Sequence, residues 1–211
     1  LTSFYFFRLK KWWLAGIFGA LAQITKSPGI LLFVAYVIIL LQETFKTKKI
    51  PWRAYPLLLI PLGALGVFTF YFYQTGDFFA YFHSGDNFHL FFPPFQAFKT
   101  GLSWIGDFWL EDMIYIYLLG ALTVIQLFKL KQFDLATFAA VFYIATLFIA
   151  HRDLSRYSLP LAPFSLIAFK DFLEKKEFKI AFALILIPVY LYAINFISHN
   201  TAPIADWTPF L

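Results

Sequence analysis

The sequence predicts an all-α fold: a polytopic transmembrane bundle of about 6–7 membrane helices, with an interfacial loop on its outer side. Three observations carry this. The 211 residues are 61% hydrophobic, 23% aromatic and only 14% charged, too little charge to solvate the surface of a soluble domain, where about a quarter of residues are charged. Long apolar runs alternate with short basic clusters. Thirteen of the 17 basic residues fall in four such clusters, at Arg8–Lys11, Lys46–Arg53, Lys129–Lys131 and Lys170–Lys179, the charge pattern of cytoplasmic loops.

Each element follows in order. Trp12–Thr25 and Ile30–Gln42 are apolar and are separated by Lys26-Ser27-Pro28-Gly29. Proline and glycine together interrupt a helix, and both flanks of the unit are basic. This predicts a short helical hairpin that enters from the basic side and returns, with Thr25–Gly29 at its tip; the competing reading is one long kinked helix. Ala54–Gly76 carries no charge and runs outward, bent by Pro56, Pro61, Gly63 and Gly66. Asp77–Asp112 is a long outer segment. Met113–Phe128 returns inward, Leu135–Ala150 goes out, and His151–Tyr157 is a short outer loop. Ser158–Phe169 comes back with Pro160 and Pro163 near its start, Ile180–Phe196 goes out, and His199–Leu211 is an outer tail with Trp207 as an interface anchor. We expect a single membrane domain over 1–211, continuing upstream of Leu1, with 77–112 as its outer interfacial loop. No internal repeat or low-complexity run interrupts it.

The charges test this topology. The inner side holds 13 basic residues against Glu43, Asp134, Asp171, Glu174 and Glu177, a balance of +8. The outer side holds four against seven carboxylates, a balance of −3. The formal charge of +5 therefore reads as the inward bias of Lys and Arg, and nucleic acid is not an expected partner. The absence of cysteine excludes disulfides, zinc-thiolate sites and a thiol nucleophile. The expected location is an integral, multi-pass protein of the plasma membrane, or of the endoplasmic reticulum membrane in a eukaryote.

Polar chemistry then concentrates outside. Lys26, Lys99, Arg152 and Arg156 are the basic residues that break the inward bias, and all four histidines share their side. Arg152 and Arg156, in His151-Arg152-Asp153-Leu154-Ser155-Arg156-Tyr157, suit an anionic phosphate, because guanidinium grips phosphate oxygens with a two-pronged fork; snorkelling to headgroups, or an ion pair with Asp153, is the alternative. Lys26 beside the Pro-Gly break is a second phosphate candidate, with interface snorkelling as its alternative. Asp77 ends a span and either caps the next turn or faces a cavity. His83-x-x-Asp86-x-x-His89 has metal-ligating residue types at a spacing that matches no tight signature, so no metal ligand is assigned and a divalent ion is the one cofactor left open. The many phenylalanines between Phe78 and Phe98 fit a loop lying along the headgroup zone, as a lid over a lipid-linked substrate or as a plain anchor.

Three stretches, in order, resemble a family. Trp13-Leu-Ala-Gly-Ile-Phe-Gly-Ala-Leu-Ala-Gln-Ile-Thr25-Lys26-Ser27-Pro28-Gly29 is similar to a membrane stretch of multi-span glycosyltransferases of the GT-C class. Gly76-Asp77-Phe-Phe-Ala80-Tyr-Phe-His83 and His151-Arg152-Asp153-Leu154-Ser155-Arg156-Tyr157-Ser-Leu-Pro160-Leu-Ala-Pro163 resemble two stretches of the PIG-V-type (GPI mannosyltransferase 2-like) mannosyltransferases. Lys26 stands where the family usually has arginine, and Phe78 where it often has proline. The resemblance implies a transferase that moves a hexose, mannose by likeness, from a polyprenyl-phosphate donor to a glycan, lipid or protein acceptor on the extracytoplasmic or luminal side. It implies that Arg156, Arg152, Lys26 and Tyr157 bind substrate phosphate and that Asp77, His83 and His151 shape the cavity. It places the catalytic carboxylate upstream of Leu1, so no base is assigned in this chain and this stretch alone is expected to be inactive. Two other classes compete: a transporter or flippase of lipid-linked sugars, which would want polar residues at mid-membrane depth, and a non-catalytic membrane subunit.

Overall fold

The computed structural model describes residues 1–83, 91–99, 107–150 and 154–199, with the side chains of 107–112 and 196–199 excepted. Every regular element among them is helical and none is a strand. Two units divide the chain, Leu1–Ala168 and Phe169–Leu211.

The first unit begins with α1 (Thr2–Arg8) and α2 (Trp12–Thr25). Lys26 is extended, Ser27–Gly29 forms a single 3₁₀ turn, and α3 (Ile30–Thr47) follows. The predicted hairpin is what forms. Lys10, before α2, bonds Glu43, near the end of α3, at 3.0 Å; a continuous helix would hold those residues about 50 Å apart. The expected outward run from Ala54 begins instead as a 3₁₀ segment over Trp52–Leu58, and only then becomes α4 (Leu59–Thr75). Pro56 explains the delay, since it lacks the amide that an α-helix needs there. Gly76 ends α4 at φ +74° and donates its N–H to the Phe72 carbonyl at 2.8 Å, a left-handed stop that glycine adopts without strain.

After α5 (Ala80–His83), α6 (Asp107–Lys129) and α7 (Phe133–Leu147) form an antiparallel pair joined by a tight turn. The helix α6 starts six residues earlier than the apolar run at Met113. Between α5 and α6, residues 91–99 fold back onto α7: the Phe91 and Phe95 amides donate to the Phe148 and Leu147 carbonyls, each at 2.7 Å. The rings of Phe95 and Phe98 meet that of Tyr117 at 5.8 and 5.6 Å. The described part of the expected outer loop His151–Tyr157 is helical, α8 (Leu154–Ser158), and the expected span from Ser158 starts as a 3₁₀ turn at Leu159–Leu161, which holds Pro160, before α9 (Ala162–Ala168).

Close approach of helices depends on small residues. A Cβ at Gly16 would sit 2.2 Å from the Pro56 carbonyl oxygen, and one at Gly19 2.5 Å from Ile60, so α2 lies directly against the start of α4, as small residues permit in membrane bundles. An aromatic core closes the other side. Phe7 stacks on Tyr36 at 4.1 Å, Phe4 meets Phe138 at 4.9 Å, and Phe138 stacks on Phe164 at 4.5 Å. Inside it, Ser3 donates to the Ala15 carbonyl at 2.7 Å and so accepts from the Tyr36 hydroxyl at 2.8 Å. These hydroxyls are satisfied, as buried polar groups must be.

The second unit holds α10 (Lys170–Leu173) and α11 (Lys176–His199). Apolar side chains of α11 stand open from Ile180 to Ile194; Leu184 is 73% exposed. Among the described residues, three helical stretches are long and apolar enough to cross a membrane: Ser27–Thr47, Trp52–Thr75 and Lys176–Asn195. Their open apolar surfaces suit lipid as the surrounding medium.

Candidate anion and lipid site

The first unit has two chemically distinct ends. At one, three of the basic clusters meet: Arg8 pairs with Asp134 at 2.6 Å, Lys10 with Glu43, and Lys46 lies 5.3 Å from the centre of the Phe133 ring. The hairpin tip, Asp77 and Tyr157 gather at the other.

Tyr157 organises the second end. Lys26 Nζ lies 4.9 Å from the centre of its ring and the Arg156 guanidinium carbon 5.6 Å. The two charges therefore stand within about 10.5 Å of each other, although 130 residues separate them. Both contacts are in the cation–π range. The chain achieves this because the extended Lys26 leaves the end of α2 sideways, while α8 presents Arg156 and Tyr157 from the far side. Lys26, Arg156 and Tyr157 line a cleft of about 50 Å³ together with Pro28, Thr146 and Pro160. Lys26 and Arg156 are exposed and Tyr157 is half-buried.

Two larger cavities adjoin this cleft. One, of about 220 Å³, includes Thr25, Lys26 and Tyr71; the other, of about 450 Å³, includes Ile30, Leu31 and Ala145. They share Gln23, Ser27, Ala64, Phe68, Tyr81 and Phe82. The Ser27 and Tyr81 hydroxyls bond at 2.9 Å and tie the hairpin tip to α5. Gln23 is only 7% exposed, and its carboxamide oxygen has no hydrogen-bond partner among the described residues. Leaving such a group unsatisfied costs about 1–3 kcal/mol, and its last torsion is soft, so a ligand hydroxyl in either cavity offers it a partner.

Asp77 resolves as a cap. Its Oδ1 accepts from the Phe79 amide at 2.8 Å and its Oδ2 contacts His83 Nδ1 at 2.6 Å. The bond to His83, helped by that from Phe79, holds the carboxyl below the usual carboxylate range. Asp77 and His83 line none of the three cavities; they fix the turn that carries Tyr81 and Phe82 into two of them. Of the candidates read from sequence, Lys26, Arg156 and Tyr157 are thus brought together, Asp77 and His83 pair beside them, and Arg152 and His151 lie outside the described residues. So do Asp86 and His89; among the described residues no three His, Asp or Glu side chains gather in a metal-holding group. Gln23, Ser27 and Tyr81 are additions that the sequence did not single out. Gln23 was detectable as a polar residue within an apolar run.

No family model, curated protein or solved structure matches the chain. The site must be read from its own chemistry.

Proposed function

We propose that the chain is the membrane part of a glycosyltransferase that holds a polyprenyl-phosphate-linked hexose at the hairpin tip, with mannose as the hexose the motifs favour. One observation carries the reading: Lys26 and Arg156, two of the four basic residues on the outer side, converge on Tyr157 beside cavities large enough for an apolar tail. A lipid phosphate needs that combination of two cations and an adjoining apolar wall. The topology is six spans or more, with the basic end cytoplasmic and the Tyr157 end extracytoplasmic or luminal; segregation of the basic clusters to one end supports it.

In this reading the phosphate rests between Lys26 and Arg156. The acceptor hydroxyl oxygen attacks the anomeric carbon as the bond from that carbon to the phosphate oxygen breaks. The phosphate leaves with the bonding electron pair, and the two cations stabilise its added charge. The acceptor proton passes to a carboxylate, which the motif resemblance assigns upstream of Leu1. Gln23 and the Ser27–Tyr81 hydroxyl pair are placed to bond sugar hydroxyls, and Phe68 and Phe82 to wall the ring.

The test is sugar transfer by the full-length gene product in membranes, supplied with labelled polyprenyl-phosphate hexose. Lys26→Ala and Arg156→Ala should each lower turnover by about 10-fold or more, since one charge-assisted hydrogen bond is worth about 1.5–3 kcal/mol, while Lys26→Arg retains most of it. Unchanged transfer in both alanine variants at normal expression rejects the proposal.

A further inference from the structure

A separate groove lies at the basic end. The helix α3 presents Phe33, Val37, Leu41 and Thr44 along one face, at the spacing of a single helical stripe. The 50–58 segment stands beside that face with Trp52 and Tyr55, and the two enclose an open apolar groove of about 540 Å³. From Thr44 to Phe33 is 11 residues, about 16 Å of helix, which matches the depth of one leaflet's hydrocarbon, about 15 Å. Its mouth lies at the basic turn. Lys48, Lys49 and Arg53 are exposed there, and none has an ion-pair partner among the described residues. This distinguishes them from Arg8 and Lys10 at the same end, which are paired to Asp134 and Glu43. Trp52 is 78% exposed and Tyr55 59%, on the groove's rim, where amphipathic rings favour the headgroup level.

We infer that this groove is a binding site for an anionic phospholipid of the cytoplasmic leaflet, one acyl chain lying along α3 and its phosphate held by Lys48, Lys49 and Arg53. Charge complementarity selects the occupant: an apolar helix of a partner or a second copy would fill the groove but leave three cations unanswered, whereas a phospholipid answers both. Basic clusters directly cytoplasmic of a membrane helix bind anionic headgroups in this way. The site does not need the sugar-transfer reading, though its assignment to the cytoplasmic leaflet rests on the topology proposed with it, and it lies at the other end of the first unit.

The test is native mass spectrometry of the full-length protein, released from mixed dioleoyl phosphatidylglycerol and dioleoyl phosphatidylcholine. Wild type should retain one phosphatidylglycerol in preference to phosphatidylcholine. Lys48→Ser with Arg53→Ser should lower that preference on the order of tenfold. Leu41→Trp, which changes no charge and fills the groove from an exposed position, should lose the retained lipid at an unchanged melting temperature. Lys129→Ser with Lys131→Ser, at the neighbouring basic turn, should leave the preference unaltered. Equal retention of the two lipids overturns the inference. So does an effect of Lys129 and Lys131 equal to that of Lys48 and Arg53, or indifference to Leu41→Trp, because either would mean a diffuse attraction with no groove. A cross-linked second copy at Leu41 that excludes lipid also overturns it.

Discussion

Replacing Gly16 by alanine should destabilise the bundle although alanine is the better helix former. The new methyl carbon would lie 2.2 Å from the Pro56 carbonyl oxygen and 2.9 Å from its carbon, where ordinary contact begins at 3.4 Å. Backbone atoms cannot swing aside as a side-chain tip can, so α2 and the 52–58 segment must part by about 1 Å, which also loosens Gly19 against Ile60. Overpacking of this kind costs about 1–3 kcal/mol, and an immovable carbonyl puts it toward the upper end. Helix propensity returns about 1 kcal/mol, leaving a net loss of about 1–2 kcal/mol. Gly66 is the control, because a Cβ there meets nothing within 4 Å and Gly66→Ala keeps only the propensity gain. At about 2–4 °C per kcal/mol for a chain of this size, the two variants should melt on opposite sides of wild type in detergent, followed by circular dichroism. If Gly16→Ala melts at or above Gly66→Ala, the α2–α4 contact described above is wrong.

Other outcomes follow from the same geometry. With no native cysteine, single cysteines at Ser27 and Lys48 should react with a membrane-impermeant maleimide from opposite sides; labelling of both from one side contradicts the topology. Gln23→Leu should raise the KM for a glycosylated polyprenyl phosphate several-fold while leaving the affinity for the sugar-free lipid phosphate unchanged; equal effects on both would remove Gln23 from the sugar subsite. Asp77 has its carboxyl pKa lowered on folding. Its capping contribution is therefore complete above the unfolded value of about 3.9 and is lost as pH falls through the lower folded value. The protection factor of the Phe79 amide, the slowing of its exchange relative to the unfolded chain at the same pH, should hold down to about pH 4 and fall below it. Asp77→Asn, which mimics the protonated acid, should show that weaker protection at every pH and Asp77→Ala should lose it, and a fully protected Phe79 in Asp77→Ala would refute the cap.

Much of the fold was legible because it rests on local chemistry. Pro28 cannot continue α2 and starts the next helix instead, so the hairpin is legible, and the basic flanks of both its arms put its ends on one side, where Lys10 bonds Glu43. Helix limits were less legible where hydropathy and hydrogen bonding diverge. Met113 starts the apolar run, but the backbone of α6 is helical from Asp107, because a helix needs hydrogen bonds and not hydrocarbon. Pro56 reads as a bend and Pro160 only as a residue near the start of a span, yet both lie in 3₁₀ segments, Trp52–Leu58 and Leu159–Leu161. At the candidate site, charge bookkeeping isolated Lys26 and Arg156. Their meeting on one tyrosine ring depends on the packing of α3, α7 and α8, and no spacing in the sequence encodes it. The Ser27–Tyr81 bond joins residues 54 apart for the same reason. Asp77 was undecided between cap and cavity, and the Phe79 amide decided it.

The most direct measurement is equilibrium binding of a sugar-free polyprenyl phosphate to the full-length protein in nanodiscs, with the corresponding polyprenol as the uncharged comparison. The account predicts that wild type prefers the phosphate, that Lys26→Ala and Arg156→Ala each weaken it by about 10-fold or more, and that polyprenol binding is the same in all three. Equal affinity of wild type for phosphate and alcohol, or phosphate binding that survives both substitutions, would contradict the claim that Lys26 and Arg156 form a lipid-phosphate site.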